Sequence, residues 1–179
     1  NVGVRKKGFF GSLSDIKPSL KVRFDKFVDD QLLNGVLKRP TLNNSMEDPS
    51  MLNTCLAFQV FESAGIPSPR CGFATVSVNG QALGLYVHVE SLKTAFLASR
   101  FADSTGNLYE GNISDFQPVW DGTFDKKTNE EEADFSDSHA VTEALADPAA
   151  VDVDALSLLV DLDKFLTYWA LEVLTGHLD

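Results

Sequence analysis

The chain has 179 residues, 44% of them apolar, enough for one core, or for one and part of a second. No run of about 18 apolar residues occurs, which excludes an ordinary transmembrane helix. The formal net charge of −11 argues against nucleic acid as a partner. That charge is uneven: residues 1–46 carry nine Lys/Arg against four Asp, and residues 101–179 carry three Lys against eighteen Asp/Glu. A basic head on an acidic chain suits an anion such as phosphate near the N-terminal end. The first residue is Asn rather than Met, so more chain is expected upstream, and the lack of a leader here says nothing of secretion.

Residues 2–4 and 19–24 read as strands. In the second, Leu20, Val22 and Phe24 alternate with Ser19, Lys21 and Arg23, giving one apolar and one basic face. Gly8-Phe9-Phe10-Gly11-Ser12 links them as a turn-rich hairpin connection. Asp48-Pro49 predicts a helix start, with Asp as cap and Pro at the first helical position. Leu52, Leu56 and Val60, with Cys55 and Phe58 offset, form its expected apolar stripe, and Gly65 ends it. Strands at 71–78 and 81–90 flank Asn79-Gly80, a pair that tolerates positive φ at both central turn positions. A helix is expected over 91–101 and a short strand over 107–110. Residues 121–138, centred on Glu130-Glu131-Glu132, read as a solvated acidic loop rather than a metal site, because adjacent carboxylates repel. From about Ser138 the chain reads as helical. Asp163 is the expected cap of a helix over 164–174 with Phe165, Leu166, Trp169 and Val173 inward, and Gly176 ends it. The layout is α+β: a mostly antiparallel sheet with one inserted helix, then a helical part.

Seven short words carry a resemblance. They are Arg5-Lys6-Lys7-Gly8; Lys17-Pro18-Ser19-Leu20-Lys21-Val22-Arg23-Phe24; Leu42-Asn43-Asn44 with Asp48-Pro49-Ser50; and Ala64-Gly65-Ile66-Pro67-Ser68-Pro69-Arg70. Val78-Asn79-Gly80 leading to Gly84-Leu85-Tyr86 and Val89-Glu90, Gly106-Asn107-Leu108-Tyr109, and Gly176-His177-Leu178-Asp179 complete the set. In this order they resemble CotH kinase domains, the family named after spore coat protein H. The resemblance implies a protein-kinase-like fold: an N-lobe over 1–90, and an incomplete helical C-lobe over 91–179 that stops at the catalytic aspartate. It implies an ATP-dependent kinase acting on Ser/Thr of secreted, coat or surface proteins, with Mg2+ or Mn2+ held by residues expected downstream.

Kinases need a strand cation beneath a loop that closes over the phosphates. By the family layout Lys21 is that cation, with Arg5 and Arg23 as lesser candidates and Gly8, Gly11 and Ser12 in the loop. On the residues alone, Lys21 reads as an exposed strand lysine. Glu90 stands where kinase lobes join, and either contacts nucleotide or caps the following helix. His88 faces the other side and reads as structural. Asp179 corresponds to the base that accepts the substrate hydroxyl proton, and His177 to a support for its loop. The glutamate that usually pairs with the strand lysine has no clear counterpart: Asn53 and Thr54 occupy that region, and Glu62 reads as solvent-facing. This departure keeps a second reading open, a non-catalytic pseudokinase-like module that binds a partner or scaffolds a coat. A third is a nucleotide-binding domain that transfers another group. Cys55 and Cys71 either form a bridge, which favours an oxidising compartment, or are two buried thiols. A coat, surface or secreted location follows from the family resemblance alone.

Overall fold

The Asn79-Gly80 pair turns the chain as its sequence requires, with φ of 51° and 81°. In the computed structural model, which describes residues 1–8, 12–111, 113–120 and 122–176, this turn joins β4 (Cys71–Val78) to β5 (Gln81–Val89). Register slips between Val76 and Ser77, opposite the Leu83-Gly84 step, and Gly84 takes φ +92° there. A bulge of this kind favours glycine, which explains Gly84 in its word. β1 (Gly3–Lys6) pairs with β2 (Leu20–Arg23), and the short strand β3 (Thr41–Asn43) lies between β2 and β5. All pairings are antiparallel, and the five-stranded order is β1-β2-β3-β5-β4. β3 is an element the sequence did not reveal: three residues are too few for alternation to register.

The helix inserted between β3 and β4, α1, spans Asn53–Ser63, not the start expected at Pro49. Asp48 still caps it, from further out: its carboxylate accepts from Asn53 N–H at 2.8 Å and from Ser50 N–H at 3.0 Å. Those bonds hold the carboxylate below its usual pKa, the Ser50 hydroxyl contributing most. Cys55, Ala57 and Phe61 are the buried residues of α1, so of the expected stripe Cys55 is inward whereas Leu52, Leu56 and Val60 are exposed. Cys55 is disulfide-bonded to Cys71 at the start of β4, with Cα atoms 5.3 Å apart, and this faces the Cys55 side of the helix to the sheet. Gly65 N–H bonds Glu62 O at 3.0 Å and Ile66 N–H bonds Phe61 O at 2.9 Å, the paired bonds that end a helix at glycine.

Contacts divide the chain into two compact units, residues 1–92 with the segment from 171 onward, and residues 93–170. In the second unit α2 (Thr94–Arg100) is followed by β6 (Tyr109–Gly111) and β7 (Phe124–Lys126), paired antiparallel. β7 lies inside the expected acidic loop, whose centre, Glu130-Glu131-Glu132, is exposed. Lys126 is buried, donates to the carbonyls of Glu132 (3.2 Å) and Asp134 (2.7 Å), and lies over the Phe135 ring, so the loop folds around its own cation. The helices that follow are α3 (Ser136–Ala144), α4 (Val153–Ser157) and α5 (Leu162–Thr175). Asp161, not Asp163, caps α5, accepting from Lys164 N–H at 3.1 Å. Phe165, Leu166, Trp169 and Val173 are not inward; they are 51% to 72% exposed. That helix is apolar around much of its circumference, and the described residues do not cover it.

Candidate functional site

Directly paired residues of an antiparallel ladder point to the same side of the sheet. Arg5 pairs with Lys21, Lys21 with Thr41, Thr41 with Val89, and Val89 with Cys71. One row therefore crosses the sheet, cationic and exposed on β1 and β2, buried at Thr41, and bonded to α1 at Cys71. It follows that α1 lies on the same side of the sheet as Arg5 and Lys21. The next row, Leu20, Leu42, His88 and Gly72, faces the other way. His88 acts structurally: its Nδ1 lies 2.9 Å from the carbonyl of Thr41.

Gly8 follows Lys7, where the β1–β2 ladder ends. Its φ is +112°, and a Cβ there would come within 2.2 Å of Ser12 Cβ, so a side chain at position 8 forces the turn open. The Ser12 carbonyl accepts from Ser19 N–H at 2.7 Å, and Lys7 N–H donates to the Ser19 carbonyl at 2.8 Å. The turn thus returns to the chain two residues before Lys21. Gly11, His177 and Asp179 lie outside the described residues.

Beside the turn, two of the sequence words are locked together. Asn44 N–H donates to Ser19 Oγ at 2.9 Å, and Asn44 Nδ2 donates to the Lys17 carbonyl at 2.8 Å. Lys17 Nζ returns a bond to the Asn44 carbonyl at 3.2 Å and stands over the Tyr86 ring. The buried Tyr86 hydroxyl donates to the Pro18 carbonyl at 3.0 Å. Lys7 Nζ reaches Asn43 Oδ1 at 3.1 Å. Sequence reasoning passed over Lys7, Asn43 and Asn44 as site residues. Their only signal was their place in the words Arg5-Lys6-Lys7-Gly8 and Leu42-Asn43-Asn44.

The remaining candidate residues have definite places. Glu90 accepts from Arg70 N–H at 3.0 Å, and its own N–H donates to the Arg70 carbonyl at 2.8 Å, extending the β4–β5 ladder by one clamp. The residue at the N-terminal cap of α2, Lys93, makes no side-chain cap bond of its own. Glu62, the one carboxylate on α1, is exposed. Away from the row, Asp25 is enclosed by Arg39 (2.7 Å), Arg23 (3.1 Å) and Lys38 (3.8 Å). The Arg39 guanidinium above all holds its carboxyl well below the usual range.

The second unit has its own polar hub, built on Gly106-Asn107-Leu108-Tyr109. Leu108 N–H donates to Thr128 Oγ1 at 2.8 Å, and that hydroxyl donates to the Gly106 carbonyl at 3.0 Å. Asn129 Nδ2 bonds Asn107 Oδ1 at 3.0 Å, and Asn107 Nδ2 donates to Asp137 at 2.9 Å. The Tyr109 hydroxyl donates to the other Asp137 oxygen. Burial, then the bond to Asp137, push the Tyr109 pKa up to about 12. At Asp137 burial acts to raise the pKa, but the bonds from Tyr109 and Asn107 outweigh it and hold the carboxyl low. Among the described residues no group of three or more His, Cys, Asp or Glu could hold a metal ion.

Comparison with known proteins agrees with the sequence words. The family model described as CotH kinase protein matches residues 4–179. Inner spore coat protein H of Bacillus subtilis (strain 168) is 30% identical over 149 residues, covering 77% of this chain and 41% of that protein. An inner spore coat protein H-like protein of the same strain is 32% identical over 54 residues, 30% of this chain and 18% of its own length. The chain therefore spans about two fifths of the longer match. With nearly every residue inside the family match, and the family's words forming the glycine turn, the Asn44 clamp and the Asp137 hub, this chain belongs to the CotH kinase protein family.

Proposed function

We propose that this chain is the nucleotide-binding part of an ATP-dependent protein kinase of the CotH type, acting on Ser/Thr of coat, secreted or surface proteins. The observation that carries the reading is the Arg5–Lys21 pair on the α1 side of the sheet, at the root of the Gly8 turn. The order of elements supports it: five antiparallel strands with one helix between the third and fourth fit a protein-kinase-like N-lobe. Lys21 and Arg5 would offset phosphate charge, while Gly8, Gly11 and Ser12 would let the backbone approach it. Glu90 stands at the strand end where adenine would lie. Asp179 would accept the proton of the substrate hydroxyl as its oxygen bonds phosphorus and ADP departs, with His177 supporting its loop. The residues present fit a phosphate anion. Mg2+ or Mn2+ would add charge neutralisation on the phosphates, and its ligands are assigned to chain downstream of these residues.

The test is transfer of labelled γ-phosphate from ATP to a serine-bearing coat protein by the full-length protein. Lys21→Met should abolish transfer and leave the circular dichroism spectrum unchanged. Transfer at an unchanged rate would remove Lys21 from the site. One observation favours the non-catalytic scaffold reading: α1 offers no inward carboxylate to pair with a strand lysine. A folded full-length protein that assembles into the coat but transfers no phosphate would select that reading.

A further inference from the structure

Lys7 follows β1 and continues its pairing with β2 by one bond, Lys7 N–H to the Ser19 carbonyl at 2.8 Å. Alternation therefore places Lys7 on the same side of the sheet as Arg5 and Lys21. Its side chain extends across β2, and the ammonium ends 3.1 Å from Asn43 Oδ1 on β3. Such a stem loses rotamer entropy and part of its hydration. Two other lysines of this region meet carboxylates: Lys6 meets Asp15 at 3.0 Å and Lys38 meets Asp30 at 3.1 Å. Among the described residues Lys7 meets only the neutral amide oxygen of Asn43. An amide aims the ammonium without neutralising it, where an aspartate would do both. A half-buried, aimed and uncompensated cation beside Arg5 and Lys21 is stabilised by an anion. Gly8 comes next in the chain at φ +112°, and a Cβ there would meet Ser12.

We propose that Lys7, aimed by Asn43, is a second phosphate-binding lysine beside Lys21, taking the terminal phosphates of a nucleoside triphosphate. This assignment rests on the kinase reading for the nucleoside, and on the geometry of Lys7 for the phosphates. If Lys7 only tied β1 to β3, its loss would lower stability without regard to the number of phosphates on a ligand.

Binding of ATP, adenosine and inorganic triphosphate to the full-length protein, measured by titration calorimetry, separates these cases. Lys7→Met should weaken ATP and triphosphate by roughly ten- to a hundredfold, the loss of one charge-assisted bond, and leave adenosine unchanged. Asn43→Asp, which supplies a competing carboxylate, should weaken the same two ligands, and Lys7→Arg should recover part of the affinity. ATP binding that is equal in wild type, Lys7→Met and Asn43→Asp overturns the inference and leaves the kinase reading standing. Triphosphate binding that depends on Lys7, without any ATP binding, overturns the kinase reading and keeps the anion site. A wild type that binds neither overturns both. Should Lys7→Met fail to fold, Asn43→Asp decides the matter, since it retains the lysine stem.

Discussion

At Asn44 a single side chain holds two sequence words together, and its removal has a calculable cost. Asn44→Ala deletes the donor to the Lys17 carbonyl, leaving a partly buried acceptor unpaired. The expected loss is about 1–3 kcal/mol, read as a lower denaturant midpoint at unchanged slope. A midpoint within error of wild type would mean that water takes the amide's place. Tyr109 gives a pH prediction. Its pKa is pushed from the ordinary 10.0 up to about 12, so the folded state holds the proton that the unfolded state has released. The stabilisation is complete below the unfolded value and is lost as pH rises through the folded one, so stability should fall between pH 10 and about 12. Tyr109→Phe should shrink that alkaline step and remove one late component from the tyrosinate absorbance titration. An unaltered titration would show that Tyr109 is not the group concerned.

Among the elements, the disulfide ties α1 to the start of β4. Of the apolar stripe read from the sequence, Cys55 is buried and Leu52, Leu56 and Val60 are exposed, while Ala57 and Phe61 join Cys55 inside. The bridge spans a sequence separation of 16 residues. Replacing both cysteines by serine should cost on the order of 3 kcal/mol and raise hydrogen exchange in α1 more than in the β4–β5 hairpin. Equal rises in both would mean that α1 and the hairpin open as one unit, held by packing more than by the bond. The same elements show what was legible in advance. β4 and β5 were plain because Asn79-Gly80 dictates the turn and the flanking runs are long. β7 was not, because its Phe-Asp-Lys sequence sits among carboxylates and its pairing depends on Lys126 reaching the carbonyls of Glu132 and Asp134, contacts remote from local pattern. The face shared by Arg5 and Lys21 could be guessed from alternation. The partnership of Lys7 with Asn43 could not, since it joins residues 36 apart.

Over the whole molecule, charge is segregated along the chain, with a net +5 over residues 1–46 and a net −15 over residues 101–179 by residue count. The consequence depends on the size of the anion. A triphosphate is shorter than the Debye length of about 10 Å at 0.1 M salt, so it responds mainly to the cations it touches. A nucleic acid duplex carries one charge per roughly 1.7 Å and gains affinity only by neutralising many phosphates at once. Arg5, Lys7 and Lys21 could serve a few of those phosphates, while the net charge of −11 opposes the rest. The prediction is discrimination by length. In anisotropy measurements at low ionic strength, a labelled duplex of about 20 base pairs should not bind this chain, and excess duplex should not displace labelled ATP. Duplex binding that falls steeply with added salt would show that the basic residues form an extended surface instead of a site for one small anion. The kinase reading would then lose the charge argument on which its phosphate site rests.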